Sequence, residues 1–285
     1  MILIMIKKPI AWIVDSTAYI SEELRQHPDF FSVPLNIHFG EKQFVDGVDL
    51  NPQQLYEKIK NAKEFPKSSQ PSAGAFAERY KVIAEQYEQA IAVHVSGKMS
   101  GTLASSIAGS EISGFPVTFI DSLSLSYGVT GLIERGIEMQ DEGATVPEIE
   151  AQLKKMAGTM HNYILMGQLE QLYKGGRMSA AQFFIGSLLK VKPIVHITPE
   201  GELQPVDKVR SEKKALQYLV DKVVAGHHPG RTKIHLMQGN VLEQAEHLKT
   251  LITEQIPDLE VNIGDISSVL AVHAGEGTLA VLWFD

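Results

Sequence analysis

The chain carries short, continuous apolar runs at 10–14, 90–95 and 117–120. Runs that do not alternate with polar residues are typical of strands covered on both faces, so they predict a parallel sheet. Each run is followed by small polar residues and then by helical periodicity. Asp15-Ser16-Thr17 precedes a helix near 21–27, the 96–102 loop a helix near 103–110, and Asp121-Ser122 a helix near 127–141. This order predicts βαβ units. In such sheets ligands lie beyond the C-terminal ends of the strands, where all three polar loops fall. Cap chemistry predicts further helices. Asn51-Pro52 supplies an N-cap and a first-turn proline before Leu55 and Ile59. Pro71 opens a helix with Phe76, Tyr80, Ile83 and Tyr87 at helical spacing. Thr145-Val146-Pro147-Glu148 is a capping box for a helix that reaches 156.

The second half has another rhythm. A strand is predicted at 163–166, then a short helix at 169–173 ended by Gly175-Gly176. The apolar stretch 180–189 reads as helical. Runs at 191–197 and 203–209 flank Pro199-Glu200-Gly201, a hairpin signal. Amphipathic helices at 212–225 and 241–256 enclose a strand at 233–237, and strands at 261–266 and 279–284 close the chain. A hairpin inside an αβ pattern implies a mixed sheet. The expected fold class is therefore two-domain α/β. A parallel-sheet N-terminal domain spans 1–159 and a mixed-sheet C-terminal domain 160–285, the boundary lying where the rhythm changes near 158–161.

Composition narrows the function. At 285 residues the chain is long enough for two domains. A net charge of −8 with scattered cations disfavours nucleic acid as a partner. The absence of cysteine excludes disulfides, thiol catalysis and Cys-ligated zinc. The apolar residues 1–6 precede Lys7-Lys8-Pro9, the reverse of the order in a secretory signal. No run approaches the ~18 apolar residues of a transmembrane helix, so the expectation is a soluble, cytoplasmic protein.

Four polar segments at the edges of apolar runs carry the candidate chemistry: Ser68-Ser69-Gln70-Pro71-Ser72, the loop from Ser96 to Thr102, Lys174-Gly175-Gly176-Arg177 and His273-Ala274-Gly275-Glu276-Gly277. Hydroxyls, backbone N–H groups, one Arg and one His are what holds a carboxylate or phosphate. Ser100-Gly101-Thr102 opens a helix, where free N–H groups and the helix dipole favour an anion; an ordinary N-cap explains it equally well. Ser68 and Ser69 read as capping serines, or as ligand hydroxyls. Arg177 follows two glycines and suits bidentate recognition of an oxyanion, or is a surface Arg after a helix. His273 ends an apolar run and is structural or functional. Asp15, Asp121, Ser122, Ser124 and Ser126 read as loop and cap groups. His38, Asp46 and Asp49 lack a recognised ligand spacing. Phosphate-loop, dinucleotide and nucleophile-elbow patterns are missing, and Ser187-Leu188-Leu189-Lys190 lacks its companion motifs. A Ser100–His273–Asp triad with Asp15 or Asp121 as orienter stays open.

Seven segments in order resemble the DegV family of bacterial fatty-acid-binding proteins, which includes the FakB components of fatty acid kinase. They are Val14-Asp15-Ser16-Thr17, Ser68-Ser69-Gln70-Pro71-Ser72, Ser96 to Ser105, Asp121-Ser122, Leu172-Tyr173-Lys174-Gly175-Gly176-Arg177, Val191-Lys192-Pro193-Ile194 and His273-Ala274-Gly275. The resemblance implies two α/β domains and a buried long-chain fatty acid as ligand, with no other cofactor. Its carboxylate would be held by Ser68, Ser100 and the N–H groups of Gly101 and Thr102. Arg177 and His273 would support phosphoryl transfer by a separate fatty acid kinase subunit. The chain would thus be a carrier without turnover of its own. Two positions depart from the family pattern: Ser68 stands where relatives have Thr, and Glu276 replaces a Pro and adds a negative charge near the expected mouth. The rival readings are a serine hydrolase of acyl esters using Ser100 and His273, and a sensor of a polar small molecule.

Overall fold

The computed structural model describes residues 7–62, 64–177, 192–228, 230 and 233–285. The expected helix at 180–189, with Phe183-Phe184-Ile185 and the Ser187–Lys190 motif, lies outside the described residues, as do residues 1–6 and Val191.

The apolar runs of the first half form a four-stranded, all-parallel sheet. Its strands are β1 (Lys8–Asp15), β2 (Phe30–Val33), β6 (Tyr87–His94) and β7 (Val117–Asp121), in the order β2-β1-β6-β7. Side chains alternate faces along a strand, so Ala11 and Ile13 go one way and Trp12 and Val14 the other. Phe76 and Tyr80 of α3 (Ala73–Ala84) pack on the first face. Leu132 of α5 (Tyr127–Asp141) and Leu153 of α6 (Val146–Ala157) pack on the second. With both faces covered, an unbroken apolar run is the sequence that fits. Helix α4 (Thr102–Ser113) follows β6 and lies against α3.

The second half forms a six-stranded mixed sheet. Strands β8 (Met160–Leu165), β9 (Lys192–Ile197), β10 (Leu203–Val209), β11 (Lys233–Gln238), β12 (Glu260–Asp265) and β13 (Leu279–Phe284) take the order β10-β9-β8-β13-β11-β12. Only β11 and β12 run parallel. Helices α8 (Glu212–Gly226) and α9 (Leu242–Gln255) cover one face through Leu219 and Leu248, which meet Leu236 and Trp283. The opposite face carries Ile164, Val195, Met237 and Leu282, and these share a cluster with residues of the first half. The expected α/β architecture, parallel in the first sheet and mixed in the second, is the one found.

A third, smaller sheet was not predicted. β3 (Asn36–Phe39), β4 (Lys42–Val45) and β5 (Lys67–Ser69) are antiparallel in the order β4-β3-β5. Helix α2 (Pro52–Asn61) connects β4 to β5, with the capping box made by Asn51 and Gln54. The remaining short helices are α1 (Glu22–Gln26), α7 (Leu169–Lys174) and α10 (Ser268–Ala274). No helix among the described residues is long and apolar enough to cross a membrane.

A hydrogen bond ties the loop after β6 to the hairpin of the mixed sheet. Ser96 Oγ donates to Gly201 O at 2.8 Å, and Gly201 lies at φ +83° in the hairpin turn. A Cβ at Gly201 would also sit 3.2 Å from Leu123 Cα. Glycine is required there on both counts.

Gly136 sets how closely α5 approaches β1. A methyl at that position would lie 2.6 Å from Trp12 Cζ3. The indole is fully buried and its Nε1–H donates to Gln140 Oε1 at 2.7 Å, so the ring has no room to yield. Gly136→Ala gains about 1 kcal/mol of helix propensity but overpacks the core by roughly 1–3 kcal/mol. We expect a net loss of stability, read as a lower urea midpoint. An unchanged or higher midpoint would mean that the sheet accommodates the methyl.

Candidate functional site

Between the parallel sheet, the open face of the mixed sheet and the small sheet lies a largely apolar cavity. Its wall is mostly apolar, with Leu35, Met99, Ile164, Met166, Met237 and Leu282 among the contributors. Three of these are methionines, whose unbranched side chains adapt to irregular ligands.

Ser68, Ser100, Arg177 and His273 all border this cavity. Ser68 lies on β5 opposite Ile37 of β3. Its neighbour Ser69 turns to the other face, where its Oγ meets His38 Nε2 at 2.8 Å. Strand alternation therefore aims Ser68 inward. His273 lies in the last turn of α10, which stops at Gly275 with φ +80°. Ser68 Oγ and His273 Nε2 are 2.7 Å apart. The ring's Nδ1 is buried without a partner, and a Cβ at Gly175 would sit 3.1 Å from its Cε1.

Burial pushes the His273 pKa down to about 4, and the nearby Arg177 charge adds to the effect. The imidazole is therefore neutral near neutral pH. Leaving an N–H unsatisfied is worse than leaving a lone pair so, which favours the tautomer whose Nε2–H donates to Ser68 Oγ. The Ser68 hydroxyl proton is then free to point at a ligand. Arg177 follows the Gly175-Gly176 turn, where Gly176 has φ +68°. Its Nη1 donates to Gly175 O at 2.6 Å. Among the described residues Arg177 has no carboxylate partner, and burial lowers its pKa. A half-buried, unpaired guanidinium on a cavity wall is a place for an anion.

Ser100 sits in the tight turn after β6. Its Oγ accepts from Thr102 N at 3.2 Å and lies 2.8 Å from Thr102 Oγ1. The Thr102 N–H, expected to be open to a ligand, is therefore used within the loop. Thr102 is fully buried, and neither it nor Gly101 is on the cavity wall. A Cβ at Gly101 would sit 2.8 Å from Nε2 of the exposed, flexible Gln70 side chain.

The triad drawn on paper does not assemble. His273 meets Ser68, not Ser100. Asp121 accepts from Gly97 N and Leu123 N, at 3.1 and 2.9 Å. Asp15 belongs to a different network that the sequence did not reveal. Its Oδ2 faces His94 Nδ1 at 3.1 Å and accepts from Val95 N at 2.9 Å. His94 Nε2 is 2.7 Å from Ser106 Oγ, which also bonds Tyr80 Oη. Burial would raise the Asp15 pKa, but the His94, Thr17 and Val95 hydrogen bonds together hold it below its ordinary value. All four side chains are buried, so the network pins β1 and β6 to α3 and α4. His38, Asp46 and Asp49 do not converge, and the described residues contain no cluster that would hold a metal. Glu276, the added negative charge, is neutralised locally: Lys60 Nζ lies 3.4 Å away and Asn240 Nδ2 donates at 2.5 Å. Sequence reasoning left Ser126 as a plain loop residue, yet it borders the cavity.

Comparisons with known proteins bear on the family and the fold. Residues 9–285 match the family model described as an uncharacterised protein of the DegV family. The Bacillus subtilis protein DegV is 33% identical over 281 residues, covering 96% of this chain and 98% of that protein. The structure of a fatty-acid-binding DegV family protein from Thermus thermophilus aligns with a TM-score of 0.89 at 27% identity, over 98% of this chain and 100% of that one. The Streptococcus pneumoniae fatty acid kinase B3 protein, loaded with linoleic acid, shares the fold with a TM-score of 0.84 at 24% identity, over 97% and 99% of the two chains.

The depressed His273 pKa makes stability depend on pH. An unfolded histidine titrates near 6.5, and the folded one at about 4. Between these values the unfolded chain binds a proton that the folded protein does not, so this contribution to stability falls as pH drops from about 6.5 toward 4. Asp46, which burial raises to about 6, acts in the opposite direction and cancels when a variant is compared with the parent. His273→Gln should flatten the fall of the urea midpoint across that window. Parallel curves for the two proteins would show that His273 titrates like an exposed imidazole.

Proposed function

The chain belongs to the DegV family, and from that membership we propose that it binds a long-chain fatty acid and presents its carboxylate to a separate fatty acid kinase subunit. The observation that carries this reading is an apolar cavity whose wall holds the Ser68 hydroxyl and a guanidinium, Arg177, that has no carboxylate partner among the described residues. Ser68 donates one hydrogen bond to the carboxylate. Ser100 Oγ borders the same space and can exchange its Thr102 partner for a carboxylate oxygen. Arg177 balances the charge. The acyl chain lies against the open face of the mixed sheet in residues 160–285.

Burial of the chain supplies the affinity. At about 0.8 kcal/mol per CH₂, roughly a dozen methylenes contribute about 10 kcal/mol before the cost of association. The polar groups then fix which end is held and where. Phosphorylation adds negative charge at the carboxylate, and the half-buried Arg177 is positioned to offset it in a low-dielectric setting. His273 suits a positioning role better than a general base: its neutral form is a weak base at about 4, and among the described residues its Nδ1 has no carboxylate orienter. That observation weighs against the hydrolase reading.

The direct test is native mass spectrometry of freshly purified protein, then denaturation and identification of released lipid. We expect a one-to-one adduct that resolves to a fatty acid. Protein that is bare and takes up no added acid would overturn the reading. Ser100→Ala should weaken retention, and Arg177→Ala should lower phosphorylation by the kinase more than it lowers binding. Full phosphorylation of Arg177→Ala would remove the role assigned to the guanidinium.

A further inference from the structure

The cavity wall carries hydroxyls besides those around the carboxylate site, and all but one have partners. Thr17 Oγ1 donates to Asp15 Oδ1 at 2.6 Å. Thr278 Oγ1 donates to the Ala274 and Gly275 carbonyls, at 2.8 and 2.9 Å. Ser68 has His273, and Ser100 has Thr102. The exception is Ser126. It is only 2% exposed, it borders the cavity, and its Oγ has no hydrogen-bond partner among the described residues.

Its setting makes the exception more pronounced. Ser126 is the N-cap of α5, a helix of 15 residues, but its side chain makes no capping bond. Its backbone lies at φ 54° and ψ −128°, a region that residues other than glycine rarely occupy. The surroundings hold it there. Ser126 N donates to Thr17 O at 3.1 Å, and Ser126 O accepts from Val129 N at 3.0 Å and Thr130 N at 3.3 Å. The hydroxyl is thus anchored on a rigid support, beside the positive end of the helix dipole. A second unsatisfied group lies close by in the fold. Asn162 Nδ2 donates to Ser124 Oγ at 3.0 Å, while its Oδ1 is buried and unpartnered. Asn162 shares a face of β8 with Ile164, which lines the cavity, although Asn162 itself does not border it. No hydrogen bond joins Ser126 to Ser68, Arg177 or His273 among the described residues.

We propose that Ser126 marks a second, polar subsite within the cavity, which takes a hydroxyl group borne partway along the acyl chain, so that the protein prefers a hydroxylated fatty acid to a plain one. An unsatisfied buried hydroxyl costs about 1–3 kcal/mol, and a ligand hydroxyl removes that penalty while a methylene does not. An alcohol both donates and accepts, so it can satisfy Ser126 and still offer its own proton. The inference rests on the fatty-acid reading given above.

Delipidated full-length protein would be offered equimolar mixtures of stearate and stearates carrying one hydroxyl at successive mid-chain carbons, with retained species quantified by native mass spectrometry. We expect one positional isomer to be retained about tenfold over stearate, the ratio that about 1.4 kcal/mol produces. Ser126→Ala and Ser126→Gly should both reduce that ratio to within about twofold of unity; glycine also relieves the backbone, which guards against a variant that fails to fold. Equal retention of all isomers and stearate by the parent, as when a water already fills the spot, overturns the inference and leaves the fatty-acid reading standing. A preference that survives in both variants also overturns it. Protein that takes up no acid of any kind overturns the fatty-acid reading, and this inference with it.

Discussion

The hydrogen bond between Ser68 Oγ and His273 Nε2 joins residues 205 positions apart. Ser68 belongs to the small antiparallel sheet, and His273 to a two-turn helix that packs against α2 and α7. Neither element has much core of its own, so their mutual contact closes the cavity at its polar end. The bond is strong in its setting because the imidazole is kept neutral and dry. Burial disfavours the protonated ring, and the neighbouring Arg177 charge adds to this; together they depress its pKa. Glycines fit around this contact: a side chain at Gly175 would press on the ring, and Gly275 ends the helix in a left-handed conformation.

The cavity follows from the arrangement of the three sheets. A doubly covered parallel sheet leaves its strand ends, not its faces, for a ligand. The mixed sheet has helices on one face only, and its other face must be covered by something apolar. Thr17, Ser100 and Ser126 come from the loops after β1, β6 and β7, while Ile164, Met237 and Leu282 come from the open face. The Ser96–Gly201 contact holds the two together, at the point where the hairpin turn meets the loop that carries Ser100.

Much of this was legible in the chain. Continuous apolar runs marked the buried strands, and caps at Asn51 and Thr145 marked two helix starts correctly. The small sheet was missed because its strands hold only three or four residues each and its cross-strand partners are polar, as at Asn36 and Ser69. Helix α10 was missed because Ser268–Ala274 is short and apolar, and periodicity does not separate such a run from a strand. The candidate polar residues were identifiable by type, but their partners were not. His94 lies inside a run that reads as strand, and nothing local shows that Asp15 faces it across a parallel pair. Likewise, pairing His273 with Ser100 was reasonable from loop positions, and only the unpredicted strand β5 places Ser68 there instead. The use of Thr102 N–H within its own loop is a matter of turn geometry at single-bond resolution, which residue type does not encode.

The polar groups of the cavity sort by whether the fold already satisfies them. Thr17 and Thr278 spend their hydroxyls on hydrogen bonds within the fold, and such closed contacts contribute rigidity rather than binding. Arg177 and Ser126 are open: one presents charge, the other a hydroxyl, and each is supported by backbone that glycines or strain hold in place. An apolar cavity binds many chains of similar length about equally well, since each methylene adds a similar increment. Discrimination therefore has to come from the few open groups, because a buried polar atom left unpaired penalises the wrong ligand far more than a methylene rewards the right one. If the chain takes the fatty acid proposed for it, the guanidinium would select the acid end of the ligand, and the Ser126 hydroxyl would select among the acids.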